Sequence, residues 1–195
     1  MEGVESQKLL PLEIKIRMNI MNVELEILDL IQIYLKNPIM DIVMVFITSL
    51  ADSGWIWIIT AVLLLYFNKT RHIGIAMMVA IILEVVICNL FLKPVIARPR
   101  PFVNMSDINL LIEWPKDYSF PSGHAAVSFA GAVTLIRYKS KLALPAMILA
   151  VLISFSRMYL YVHYPSDILV GAVIGSACAI LSVNSVKKWY RPKKD

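Results

Sequence analysis

Apolar residues run along most of this chain in long stretches broken by short polar punctuation. Five stretches reach or approach the roughly 20 residues that a helix needs to cross a bilayer: 54–67 with its flanks, 73–92, 121–136, 142–161 and 165–186. Upstream, residues 22–37 (NVELEILDLIQIYLKN) alternate acids with Leu and Ile at helical spacing, the pattern of an amphipathic or partly embedded helix. Pro38 interrupts it, and IMDIVMVFITSL after it is too short to span alone. The first twenty or so residues are mixed and charged and carry no signal-peptide core. The pattern predicts an all-α protein, a polytopic transmembrane helical bundle of five or six spans. Its expected organisation is an N-terminal tail and amphipathic helix (1–37), a membrane-embedded domain (38–186) and a basic tail (187–195).

Composition agrees with a membrane setting. Of 195 residues, 58% are hydrophobic and 17% charged, with a mean hydropathy of +0.70. Soluble domains run nearer 45–50% apolar and about 25% charged. Both cysteines, Cys88 and Cys178, sit inside apolar runs and read as small core residues rather than a disulfide. Neither a CxxC nor a metal-type cluster is present, so no metal or organic cofactor is expected.

Charge then orients the spans. Basic connections stay cytoplasmic, and NKTRH (68–72), RYKSK (137–141) and KKWYRPKK near the C-terminus are such segments. Alternation puts 93–120 and the turn around His163 on the outer face. His72 falls in an inner loop with no partner in view. One outer segment is itself basic: KPVIARPRP, Lys93 to Pro101. Its cations call for a reason other than the net charge of +5.

Chemistry supplies one. Pro94, Pro99 and Pro101 argue against a continuous helix, so Lys93, Arg98 and Arg100 are expected on an extended turn. In PSGH, Pro121 and Ser122 suit a first helical turn, and Gly123 allows a ligand close to the backbone. Free N–H groups and the positive end of the helix dipole make such a terminus an anion site. In SRMYLYVHYPSD, Arg157 lies near a span end and His163 in the turn. Asp167, four residues on, is placed to hold one imidazole nitrogen. Lysine and arginine offer charge-assisted bonds to phosphate oxygens. Two histidines and one carboxylate suit phosphomonoester cleavage without a metal: one imidazole attacks phosphorus and the other protonates the leaving oxygen.

Taken singly, each residue has a plainer reading. Arg157 suits a snorkelling side chain, Asp167 a helix N-terminal acid, and Gly123 and the prolines ordinary turn chemistry. Glu84 and Asn89 lie inside the second of the five spans, and Glu84 stands equally between structural hydrogen bonding and function.

Lys93-x6-Arg100-Pro101, Pro121-Ser122-Gly123-His124 and Ser156-Arg157-x5-His163-x3-Asp167 together resemble the three-part signature of the type-2 phosphatidic acid phosphatase family, over about residues 38–186. The resemblance implies the helical phosphatase core shared with haloperoxidases. It implies His163 as nucleophile through a phosphohistidine, Asp167 as its orienter and His124 as general acid. Lys93, Arg100, Ser122, Gly123 and Arg157 would bind the phosphate. Arg98 lies outside the pattern and is expected at a headgroup or the surface.

The layout looks most like short bacterial members that act on undecaprenyl diphosphate, with phosphatidylglycerophosphate and phosphatidic acid next. The expected partners are a lipid phosphate and membrane lipids, not nucleic acid, at the extracytoplasmic face of the plasma membrane. The loop 102–120 carries Leu111 and Trp114, and Trp favours the interface; both are expected to gate lipid access. A lipid phosphotransferase using the same site, and a non-catalytic lipid- or anion-binding protein, are the alternatives.

Overall fold

The computed structural model describes residues 12–104 and 109–190, and among these every regular element is helical. In chain order they are α1 (Leu12–Leu35), α2 (Pro38–Ser49), a 3-10 turn (Asp52–Gly54), α3 (Trp55–Tyr66) and α4 (Arg71–Glu84). A π-helical stretch (Val85–Leu92), the short α5 (Lys93–Ile96), a 3-10 turn (Pro101–Asn104), α6 (Gly123–Arg137), α7 (Ala143–Tyr159) and α8 (Pro165–Trp189) follow.

Two helical stretches, Arg71–Val103 and Pro165–Trp189, are each long and apolar enough to cross a membrane. A third qualifies if the pair Pro38–Ser49 and Asp52–Tyr66, bent by 45°, counts as one span. Ala143–Tyr159 is a shorter apolar helix. The protein is an all-helical membrane protein.

Local chemistry explains the breaks. Asn37 caps α2 by accepting from the N–H groups of Ile39 and Met40 at 3.1 and 3.0 Å, and Pro38 takes the first helical position, where no N–H is needed. Helix α1 begins at Leu12, ten residues before the amphipathic segment expected from residue 22. The prolines of KPVIARPRP do not keep Lys93 out of a helix. The wide π winding ends with the Lys93 N–H bonded to the Cys88 carbonyl five residues back, so Pro94 joins without an α-type partner to lose. The helix stops only at Ala97, in the left-handed region at φ 47°, and residues 98–100 carry no regular secondary structure. Arg98 and Arg100 thus lie outside any helix, whereas Lys93 lies in one.

Helices α6 and α8 form the heart of the bundle and touch at backbone distance. A Cβ on Gly175 would stand 2.0 Å from the Ala126 carbonyl oxygen, and one on Gly171 would stand 2.5 Å from the Ser122 carbonyl oxygen. Small residues four apart let helices in lipid approach this closely. On the other side of α6, Gly131 leaves room for the Trp57 ring, whose Nε1 donates to Ser128 Oγ at 3.0 Å. Ser182 ties α8 to the Ala76 carbonyl of α4 at 2.6 Å. Large apolar side chains such as Leu63, Leu90, Leu144, Leu169 and Val173 point outwards, as lipid contact requires.

The two ends of the bundle differ. At one, His72 packs against Tyr138 and Tyr190 at 5.0 and 5.8 Å, so it does have partners. At the other, a buried cluster of Leu28, Met44, Phe102 and residues 159–162 and 164 joins α1 and α2 to the turn before α8. Helix α1 is pinned there: Tyr161 Oη donates to Asp29 at 2.8 Å, and Gln32 donates to the Tyr159 carbonyl at 2.5 Å. Both cysteines are buried and free.

Gly175→Ala is expected to cost about 1–3 kcal/mol, because a backbone carbonyl cannot give way to a methyl group. Val173→Ala, at an outward position two residues away, should stay within about 0.5 kcal/mol of the parent. Thermal unfolding of the two variants in detergent measures the contrast.

Candidate active site

The predicted catalytic and phosphate-binding residues fall at one end of the bundle and come from five places. Lys93 is on α5 and Arg100 on the irregular segment after it. Ser122, Gly123 and His124 open α6, Arg157 lies in the last turn of α7, and His163 and Asp167 flank the start of α8.

Asp167 explains why α8 starts where it does. Pro165 occupies the first helical position, and Asp167 Oδ2 accepts the Tyr164 N–H at 2.9 Å. The carboxylate is therefore both the helix-terminal acid of the plainer reading and a neighbour of His163, whose Nδ1 lies 3.5 Å from Oδ2. Ser119 joins the pair: its hydroxyl donates to Oδ2 at 2.5 Å and sits 3.4 Å from Nδ1. Tyr161, in the turn before His163, holds a left-handed φ of 60°. Such backbone costs of order 1–3 kcal/mol and is kept by its surroundings. Here the Tyr161–Asp29 bond and the buried apolar cluster supply them.

The other ring nitrogen, His163 Nε2, faces Arg100 Nη1 at 3.2 Å. Arg100 is held by the carbonyls of Val162 (2.8 Å) and Asp117 (2.9 Å), and its Nη2 donates to Asp117 Oδ1 at 2.6 Å. Lys93 pairs with the second oxygen of the same carboxylate. Asp117 thus bridges two of the expected phosphate-binding cations.

Arg157 is almost wholly buried. Its Nη1 donates to Thr48 Oγ1 at 2.6 Å, while its Nε–H has no partner among the described residues. Ser122 is a buried N-cap that accepts the Ala125 N–H at 3.4 Å, and its own N–H donates to the Asp167 carbonyl at 3.0 Å. His124 Nε2 lies 3.0 Å from Asp52 Oδ1, in the turn between α2 and α3.

A cleft of about 590 Å³ opens beside these groups. Lys93, Asp117, Gly123 and His124 line its polar part, and Ile58, Ile81 and Val127 its apolar part. Glu84 and Asn89 also face it, with Glu84 Oε2 and Asn89 Oδ1 unpartnered among the described residues. A Cβ on Gly123 would press to 3.1 Å from that Asn89 oxygen.

Leu111 and Trp114 are not brought to this cleft. Leu111 lines a separate cavity of about 270 Å³ with Gln32, Lys36 and Tyr159, and Trp114 packs edge-on against Phe102 at 4.8 Å. Within the 102–120 loop, Asp117 and Tyr118 reach the cleft instead.

Arg98 is a correction. Rather than facing a headgroup or solvent, it donates to Asp167 Oδ1 at 2.7 Å and to Glu24 Oε2 at 2.5 Å, with its guanidinium 3.8 Å from the Tyr164 ring centroid. Sequence reasoning also passed over Asp117 and Ser119, although both directly precede PSGH. Asp52 and Glu24 carry no local signal, since their partners lie some seventy residues or more along the chain.

Burial holds the His163 imidazole well below its ordinary pKa, and the charges of Arg100, Arg157 and Lys93 push the same way, with a smaller push from His124. Burial would raise Asp117, but the bonds from Lys93 and the charge of Arg100 overcome it and hold that carboxyl well below the usual range.

An all-helical membrane protein that gathers four cations, two histidines and a buried carboxylate at one end of its bundle is the class that fold and site define. The chain belongs to the PAP2 superfamily, whose model matches residues 73–191. It is 40% identical over 141 residues to an undecaprenyl-diphosphatase of Sulfolobus acidocaldarius, covering 72% of this chain and 68% of that one. Among solved structures it is similar to Aquifex aeolicus LpxE (TM-score 0.71, 32% identity, 82% of this chain and 94% of that one). It is also similar to a PAP2-type phosphatidylglycerolphosphate phosphatase of Bacillus subtilis (TM-score 0.73, 26% identity, 89% of each chain).

His163 should stay neutral below about pH 6.5, where an ordinary imidazole protonates. Nitrogen-15 NMR of histidine-labelled protein in detergent, assigned with His163→Ala, measures this. The sign for stability follows. An unfolded chain takes up a proton there that the folded one refuses, so His163 makes stability fall as pH drops through that value.

Proposed function

We propose that this lipid phosphatase of the PAP2 type cleaves a lipid diphosphate or monophosphate through a phosphohistidine on His163, without a metal. Undecaprenyl diphosphate is the favoured substrate, with phosphatidylglycerophosphate and phosphatidic acid next. The observation that carries the reading is the pairing at the cradle. Arg157 is buried with an unused Nε–H, while Lys93 and Arg100 converge on a single carboxylate as they would on a phosphate.

In the first step His163 Nε2 attacks phosphorus. The N–P bond forms as the bond to the leaving oxygen breaks, and His124 gives that oxygen a proton. Nδ1 stays against Asp167 and Ser119, which keep Nε2 aimed at the cradle. In the second step water attacks phosphorus and His124 takes its proton. The N–P bond then breaks, releasing phosphate and restoring both imidazoles. Lys93, Arg100 and Arg157, with the N-terminus of α6 at Ser122 and Gly123, stabilise the charge on the equatorial oxygens. Burial suits the nucleophile, because only a neutral imidazole attacks.

The lipid portion of the substrate lies along the apolar wall of the cleft or in the surrounding bilayer. Leu111 and Trp114 steer lipids at the interface from outside the cleft. The site faces the extracytoplasmic side of the plasma membrane, since the basic connections at 68–72 and 137–141 lie towards the other end. The 40% identity to an undecaprenyl-diphosphatase favours the diphosphate substrate.

Purified protein in detergent, with chelator present, should release phosphate from undecaprenyl diphosphate faster than from phosphatidylglycerophosphate, phosphatidic acid or an aryl phosphate. His163→Ala should abolish release, and His124→Ala should slow lipid turnover by about 10²–10⁴-fold. The penalty for His124→Ala should be smaller on the aryl phosphate, whose leaving group needs no proton. Serine at both Leu111 and Trp114 should slow lipid turnover more than aryl phosphate turnover. Retained release in His163→Ala would reject the nucleophile.

Asp117 must yield its place to the incoming phosphate. Asp117→Asn removes the competing charge and keeps the side chain's shape, so vanadate, a phosphate mimic, should inhibit this variant about tenfold more tightly, a gain of about 1.4 kcal/mol. Inhibition curves on the aryl phosphate read the shift. Unchanged or weaker inhibition would show that Asp117 does not compete for the cradle.

A further inference from the structure

We propose that Glu24 and Arg98 are positioning residues for the Asp167–His163 pair, so that helix α1, which precedes the segment matched by the family model, belongs to the catalytic apparatus. The inference rests on His163 acting as the nucleophile.

Asp167 is fully buried and its two oxygens are divided between two tasks. Oδ2 faces His163 Nδ1, Ser119 Oγ and the Tyr164 N–H. Oδ1 is bonded by Arg98 Nη1 at 2.7 Å, so Arg98 sets the rotation of the carboxylate that addresses the imidazole. It also supplies the positive charge in contact with that buried carboxylate.

Arg98 is itself held on every side. Nη1 also donates to Ser166 Oγ at 2.7 Å, the Tyr164 ring lies against the guanidinium, and Nη2 donates to Glu24 Oε2 at 2.5 Å. The other Glu24 oxygen accepts the Ser166 N–H at 2.9 Å, so one carboxylate of α1 fixes both the arginine and the first turn of α8. The result is a line of alternating charge, Glu24, Arg98, Asp167, that ends on the imidazole. A planar fork can bond Asp167 and Glu24 at once, and a lysine ammonium cannot reproduce that geometry.

The charged and titratable groups facing His163 come from several elements: Lys93 of α5, Arg100 of the irregular segment after it, His124 of α6, Arg157 of α7 and Asp167 of α8. Only Asp167 is anionic, so a change in its charge or rotation is felt directly at the ring.

Glu24→Gln, Arg98→Lys and Arg98→Gln test the inference beside the parent protein and His163→Ala. Glu24→Gln and Arg98→Lys are expected to lower kcat by about 10–100-fold with KM little changed, as a small misplacement of a reacting group does. Arg98→Lys should therefore fail to rescue. Arg98→Gln should in addition move the acid limb of kcat/KM upward by about one unit, because the Asp167 charge, no longer shared with Arg98, favours the His163 imidazolium. Histidine NMR should show the perturbation of His163 in Arg98→Gln without any turnover.

Unchanged kcat and pH profile in Glu24→Gln and Arg98→Lys would overturn the proposal. So would losses that merely follow a lowered Tm and vanish when rates are normalised to folded protein. If instead His163→Ala keeps parental activity, or the parent releases no phosphate, the phosphohistidine reading falls first and this inference falls with it.

Discussion

Four cationic side chains buried or half-buried at one end of a membrane protein each need a polar partner, and the architecture around them follows from that requirement. An unpaired ion in such a setting costs several kcal/mol even after relaxation. Asp167 and Glu24 serve Arg98, and both are sequestered. Asp117 serves Lys93 and Arg100 and is half exposed on a loop at the cleft. Arg157 bonds a threonine hydroxyl. The buried acids behave as frame, whereas the exposed acid is the one an incoming phosphate can replace. The division matches the two tasks of the proposed mechanism, which are to hold a nucleophile still and to exchange an anion.

The placement of His163 depends on backbone contact between α6 and α8. Gly171 and Gly175 bring the two helices so close that the Ser122 N–H reaches the Asp167 carbonyl. The helix that opens with PSGH and the helix that opens after His163 are thereby locked as one unit, and the two imidazoles stand on its common end. Helix α4 and its π-helical extension complete the cleft on a third side. The extra width of that winding carries the chain past Pro94 and sets Lys93 against Asp117.

The N-terminal helix changes the meaning of the domain boundary expected at residue 37. Its Glu24, Asp29 and Gln32 contact the turn and helix start that hold His163 and Asp167. Acids that read along the chain as the wet face of an amphipathic helix are spent on an arginine, a tyrosine hydroxyl and a backbone N–H. Helical spacing reports which residues share a face, but it does not report what that face meets.

By itself the sequence determined the helical class, the membrane setting and the family, and it marked the three segments that the fold gathers at one end. Each of these is written in local terms: run length, proline and glycine placement, and three short motifs whose residues lie within a few positions of one another. Tertiary structure alone decided which charges meet. Arg98 and Arg100 are two residues apart and chemically identical, yet one fork faces Asp167 and the other His163. The cause is what packs around each: Glu24 and Ser166 hold the Arg98 fork, and the Val162 and Asp117 carbonyls hold that of Arg100. Glu24 and Asp52 reach the site from some seventy residues or more away, a separation over which a single sequence carries no trace of contact. Buried charge must find its complement in space, and only the packed bundle says where that complement is.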